Sequence, residues 1–328
     1  MPNSSVGIKV SRRSVLSLVA AVTAAPYVLH AQVRDKPIKI VVGSPPGASL
    51  DSLARMVAES MQASLGQPVL VENKPGAAGR IAAEFVKNAA PDGSVILVTP
   101  SANVVAQPLA FAKLRYEPFK DFAPVSHLAS FQMVMAVSPS VPARNVSELI
   151  EQIRKRPDLA AYGSPSAGSL LHFLGELFSS KTGLPMVHVP FNGTPQLTQA
   201  LIGGQVPMGF LVLSDSVPLR DRLRIVATSG EQRSSLLPDV PTFKELGYPI
   251  AGTAWFAGFL PVGTPQPIVQ TLSAAMQRAV KDKEVRARLE RIGLEPVGST
   301  PDELADLHRR DYAHWGPVIR ASGFKADE

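Results

Sequence analysis

Cysteine is absent from all 328 residues, which excludes disulfides, thiolate metal sites and a cysteine nucleophile, and leaves stability indifferent to redox state. An excess of charge is nearly absent too. The formal balance is +6, but Lys9, Arg12 and Arg13 near the N-terminus supply three of those charges and leave +3, with the remaining basic residues scattered rather than striped. That distribution implies no nucleic-acid partner. Aromatic residues are only 6% of the chain, and Trp255, Phe256 and Phe259 read as hinge or core residues rather than a stacking platform. There is no Walker loop and no dinucleotide fingerprint: Gly76-Ala77-Ala78-Gly79 has neither the spacing nor the lysine. His308 and His314 are six residues apart in one helical segment, which is not a same-face metal spacing. No cofactor and no metal are expected.

What is present fits a folded α/β protein. Apolar residues make up 45% and charged residues 18%, an ordinary globular balance, and the length has room for two lobes with separate cores. Residues 9–31 (KVSRRSVLSLVAAVTAAPYVLHA) follow the three-part plan of a secretory leader: basic residues, an apolar run over 15–25, and a cleavage position after Ala31. The apolar run falls short of the about 20 residues a membrane span needs. Ser11-Arg12-Arg13-Ser14-Val15-Leu16 also resembles a twin-arginine signal. A signal peptide over 1–31 is therefore expected, with an uncleaved anchor as the alternative. No later run reaches membrane length, so the mature part is expected to be soluble.

Strand and helix patterns then alternate. Residues 38–42 are β-rich, and Leu53, Met56, Val57, Met61 and Leu65 recur at helical spacing until Gly66. Strands over 69–71 and 95–98 flank a helix over 81–89, giving the βαβαβ order of a parallel sheet. After a strand-like run over 131–137, a second unit repeats the alternation from the helix start at Asn145 to a strand over 223–228. A strand over 255–260 returns to the first unit, followed by helices over 266–280 and 282–292. The last helix opens at Thr300-Pro301-Asp302-Glu303, an N-cap with a first-turn proline and a capping-box glutamate. The expected organisation is one lobe over 32–137 plus 253–328 and a second over 138–252, with two crossings, near Ser138 and near Gly252. Clefts between such lobes are common ligand sites.

Two loops carry the binding chemistry. Gly43-Ser44-Pro45-Pro46-Gly47-Ala48-Ser49-Leu50-Asp51 joins a strand to a helix, where free backbone N–H groups and the helix dipole favour an anion. A tight turn with Asp51 as N-cap is the alternative reading of the same segment. Gly163-Ser164-Pro165-Ser166-Ala167-Gly168-Ser169 repeats the arrangement in the other lobe, and two such loops could close on one carboxylate from opposite sides. Neither loop contains Arg or Lys. Thr99, Ser101 and Ala102 end another strand, and Phe191 with Asn192 offers a flat wall and an amide. A valine at Gly47 is expected to weaken binding by crowding the ligand's approach. A nucleophile elbow at Ser164-Pro165-Ser166-Ala167-Gly168 is a weak competitor, because it lacks the first glycine and its nearest histidine, His172, sits on the next helix. His127 and His188 stand among apolar residues and read as half-buried side chains.

The segment PIKIVVGSPPGASLDSLAR, with Gly66-Gln67-Pro68-Val69, Val71-Glu72-Asn73-Lys74-Pro75-Gly76 and Ala90-Pro91-Asp92-Gly93, resembles the Bug family, receptors of tripartite tricarboxylate transporters. Gly175-Glu176-Leu177-Phe178, Val187-His188-Val189-Pro190-Phe191, Gly203-Gly204-Gln205-Val206 and Leu237-Pro238-Asp239-Val240-Pro241-Thr242 carry the resemblance through the mature chain. It implies a two-lobed, periplasmic-binding-protein-like Venus flytrap (type II) with two crossover hinge strands, without enzymatic activity, and monomeric. It implies a small organic acid as ligand and separate membrane permease subunits as partners. By motif position it implicates Ser44, Gly47, Ala48, Ser49, Ser164, Ser166, Gly168 and Ser169, with His172 close by. Ala48 stands where a second glycine is usual, and Pro207 and Leu211 stand where the family often carries Asp. Those departures imply a less polar pocket on that side and argue against an amine-bearing ligand. A sensory receptor for a membrane kinase would need the same closure and is the second expectation from the sequence.

Overall fold

Ile38, Ile40, Val41 and Val42 are buried, as expected of a strand covered on both faces, and β1 (Ile38–Val42) lies inside a sheet between two parallel neighbours. The computed structural model describes residues 36–250 and 252–325; the expected leader, 1–31, lies outside the described residues. In register, β1 pairs with β2 (Val69–Asn73) and with β3 (Val95–Pro100). Antiparallel strands β4 (Phe122–Phe131), β10 (Ala254–Pro261) and β11 (Leu294–Pro296) complete a six-stranded sheet of order β11-β4-β10-β3-β1-β2.

Helix α1 (Ser49–Leu65) buries Leu50, Leu53, Ala54, Val57 and Met61 on that sheet and stops at Gly66, whose φ of 68° suits glycine. Each of its larger side chains contributes about 1.5–3 kcal/mol by leaving water. Helix α2 (Arg80–Lys87) covers the same lobe, and the next elements build the second. There α3 (Val146–Lys155), α4 (Leu170–Thr182) and α5 (Thr194–Ile202) pack with β5 (Met133–Val137), β6 (Ala161–Ser164), β7 (Val187–Pro190), β8 (Met208–Val212) and β9 (Arg224–Thr228). The second sheet runs β7-β6-β8-β5-β9. Helices α6 (Gln266–Lys281), α7 (Lys283–Arg291) and α8 (Pro301–Ala321) return to the first lobe. The capping box at Thr300 and Glu303 forms as its spacing predicts. Trp255 Nε1 donates to Asp311 at 2.6 Å and pins α8 to β10. Among the described residues no helix is long and apolar enough to cross a membrane.

The first crossing falls earlier than the sequence placed it. Phe131 still pairs with β10 and β11, whereas Met133 pairs with Val212 of β8, so the chain changes sheets at Gln132 and not near Ser138. The run 131–137 has no Gly or Pro at the change, and its one polar residue, Gln132, is the only local mark of the boundary. The return crossing runs through Gly252 into β10. The two connectors lie side by side. Met133 N–H donates to Ser229 Oγ at 3.0 Å, Ser229 N–H to Met133 O at 2.8 Å, Gly252 N–H to Ser229 O at 2.9 Å, and Ser229 Oγ–H to Gly252 O at 2.8 Å.

Candidate functional site

Between the sheets lies a cavity of about 460 Å³, lined by segments of both lobes. Four chain segments end strands or loops here and begin helical turns. They are Ala48-Ser49-Leu50 at the start of α1, Ser169-Leu170-Leu171 at α4, Gly193-Thr194 at α5, and Ser101-Ala102-Asn103 at a wide helical turn (Ala102–Ala106). First-turn amides of a helix have no acceptor within it, and the helix dipole adds positive potential there. Phe131, Met133, Phe191 and Phe256 supply apolar walls. Among the described residues no Lys or Arg lines the cavity, and Asp215 is the one ionisable residue that does.

Of the residues singled out from the sequence, Ser44, Ala48, Ser49, Ser101 and Ala102 line the cavity from the first lobe, and Ser166, Ser169, Phe191 and Asn192 from the second. Ser44 lines the cavity, and its buried Oγ has no hydrogen-bond partner among the described residues. Pro46, Gly47, Asp51, Thr99, Ser164, Gly168 and His172 fall outside the lining. Most of these hold the loops from behind.

Asp51 shows how. It sits in the first turn of α1 rather than at the N-cap, which is Ala48. Its Oδ2 accepts from Gly47 N–H and Arg55 Nε, each at 3.0 Å, and its Oδ1 accepts from Asn73 Nδ2 at 2.8 Å. Asn73 Nδ2 in turn donates to Ser44 O at 3.1 Å. Burial raises the Asp51 pKa, but the bonds from Arg55, Gly47 and Asn73 outweigh it and hold the carboxyl below its ordinary value. Asp51→Ala removes the carboxylate that Gly47, Arg55 and Asn73 share and is expected to cost about 2 kcal/mol of stability. Urea denaturation measures it, and an unchanged midpoint would mean that the loop holds its shape without this carboxylate.

The second loop is braced by the N-cap Ser169, whose Oγ accepts from His172 N–H at 3.1 Å and donates to Ser166 O at 2.8 Å. Ser164 Oγ donates to Ser166 O at 2.9 Å and lies 2.8 Å from His188 Nε2. His172 is buried under the loop. Its Nδ1 accepts from Gly168 N–H at 3.2 Å, its Nε2 lies 3.6 Å from Glu176, and its ring stacks on His188 at 3.8 Å. Both its nitrogens are engaged away from Ser166, so the pair expected of a nucleophile elbow does not form. Thr99 is buried within β3, opposite Ala257.

The lobes are in contact around the cavity. Gly168, at φ 72°, abuts Phe111 of the first lobe, and the Phe324 ring packs edge-on to His172 at 4.6 Å. Asp215 makes the polar contact: its Oδ1 accepts from Ser49 N–H at 3.3 Å across the cleft, and its Oδ2 accepts from Thr194 Oγ1 at 3.0 Å. Burial raises the Asp215 pKa, and the bonds from Thr194 and Ser49 act against it. Asp215 was missed in the sequence, although it closely follows β8, and the carboxyl end of such a strand is where sheets of this kind bind ligands. Its presence corrects the expectation of a less polar wall. Leu211 is buried and outside the lining, but the cleft still holds an acid.

The family model for the tripartite tricarboxylate transporter family receptor matches residues 53–324. The protein BugT of Bordetella pertussis is 32% identical over 298 residues, spanning 88% of this chain and 90% of its own. Among solved structures, Rpa4515 of R. palustris with adipate matches at TM-score 0.85 and 29% identity, covering 89% of this chain and 98% of its own. MatC of Rhodopseudomonas palustris with bound malate matches at TM-score 0.81 and 32% identity, covering 87% and 99%.

Proposed function

Because this chain belongs to the tripartite tricarboxylate transporter receptor family, we propose that it captures a small carboxylate between its lobes in the periplasm and presents the closed form to membrane permease subunits. The observation that carries this reading is the cavity itself. Helix starts from both lobes ring a space that, among the described residues, lacks fixed cations, so an anion there is held by backbone amides and hydroxyls. The volume of about 460 Å³ suits a ligand of few carbons, in the range usual for small-molecule sites. Relatives that hold adipate and malate support the same class. The role is capture and release by a monomer, with no bond made or broken. The Arg12-Arg13 leader directs export.

Isothermal titration of the mature protein against short carboxylates and their methyl esters tests this. One-to-one binding of an acid, with the ester bound at least tenfold more weakly, is the expected result. Equal affinity for acid and ester would overturn it, since the amides would then not be reading the charge.

A further inference from the structure

Asp215 changes what the cleft can accept. A cavity ringed by helix starts favours anions, yet this one already contains a carboxylate of its own. Ser49 N–H at the start of α1 and the Thr194 hydroxyl at the start of α5 both donate to it. Among the described residues no Lys, Arg or His lines the cavity to neutralise it. The start of α4 is different. Ser169 takes up the His172 amide, while Leu170 and Leu171, whose first-turn amides have no acceptor within the helix, line the cavity with no internal anion on them.

We propose that Asp215 is the specificity-determining residue of the cleft, and that the ligand is a monocarboxylate with a hydrogen-bond donor, ammonium or hydroxyl, at its far end. Resting on the receptor reading above, this assigns the ligand's two ends. Its carboxylate goes to the start of α4 and the donor goes to Asp215, with the body between Phe131, Met133, Phe191 and Phe256. A dicarboxylate would set a second negative charge against Asp215 in a space poorly screened by water, where like charges repel strongly. A donor instead fills acceptor capacity that Ser49 and Thr194 leave open, because each gives one hydrogen bond to one of the two Asp215 oxygens.

The test is a matched series at four, five and six carbons: the α,ω-dicarboxylate, the ω-hydroxy acid and the ω-amino acid. Each is titrated calorimetrically into the wild-type protein and into Asp215→Asn, which keeps the side-chain shape and removes the charge. Melting curves establish that both are folded. In the wild type, the hydroxy or amino acid of the best length should bind at least tenfold more tightly than its dicarboxylate, and Asp215→Asn should shift that ratio at least tenfold toward the dicarboxylate. The stronger of the two donors distinguishes ammonium from hydroxyl. A wild type that prefers the dicarboxylate, or a ratio unmoved by Asp215→Asn, would overturn the assignment and leave the receptor reading intact. No binding of any member by either protein would remove both.

Discussion

Gly168→Val should lower ligand affinity ten- to hundredfold while both lobes stay folded. Gly168 has φ of 72°, and a Cβ there would sit 2.5 Å from Phe111 Cε2. The Phe111 ring cannot swing aside freely, because the Arg80 guanidinium lies over it at 4.1 Å and Phe324 meets it edge-on at 6.4 Å. The contact joins opposite lobes, so the clash exists only when they meet. Left-handed backbone costs a branched residue about 1–2 kcal/mol in either state, whereas overpacking of about 1–3 kcal/mol falls on the closed state alone. At about 1.4 kcal/mol per decade, the second cost sets the affinity loss. Gly47→Val is the control. Its φ is 85°, but a Cβ there meets no protein atom within 4 Å, and Gly47 lies outside the cavity lining. That variant should lose about 1–2 kcal/mol of stability through backbone strain and keep most of its affinity. Calorimetry and thermal melting on both variants separate the cases, and equal affinity losses would contradict the lobe contact at Gly168.

Mild acid should destabilise the fold through two histidines that burial keeps neutral. Burial holds the His127 pKa down to about 4. Burial, and then the neighbouring His172, hold His188 down to about 3. In the unfolded chain both regain a pKa near 6.5. Between those values the unfolded state binds more protons, so stability is full above pH 6.5 and declines as pH falls toward the folded values. Each histidine contributes up to about 2 kcal/mol of loss by pH 5, with the smaller share from the more exposed His188. Urea denaturation from pH 8 to pH 5 measures the slope, and His127→Gln with His188→Gln should flatten it. Asp215 and Asp311, whose pKa values burial raises, act in the opposite sense. A wild-type stability constant over this range would show that these rings are protonated in the fold.

Much of this architecture is legible in the residues because local and global signals agree. The α1 apolar spacing ending at Gly66, the cap at Asn145 and the Thr300–Glu303 capping box all form where their patterns lie. Strand β4 escaped notice: Pro124, Ser126 and His127 interrupt its apolar run, and its pairing with β10 comes from distant sequence. The cleft was legible only as loops. Ser44, Ala48, Ser49, Ser166 and Ser169 line it because small residues at strand ends permit helix starts there. Asp51 and His172 stand beside those loops in sequence, yet both turn inward to brace them, and chain proximity does not encode side-chain direction. Asp215 bears on the cleft through partners 21 and 166 residues away, a relation no local pattern records.

The cross-bonding of Met133 with Ser229, and of Ser229 with Gly252, has a mechanical corollary. Both crossings are tied to one residue of the second lobe, Ser229, so they should turn together, and the opening is expected to follow a single angle. In a chain without native thiols, two introduced cysteines, one per lobe, would carry the only labels, and the one distance between them would trace the whole excursion.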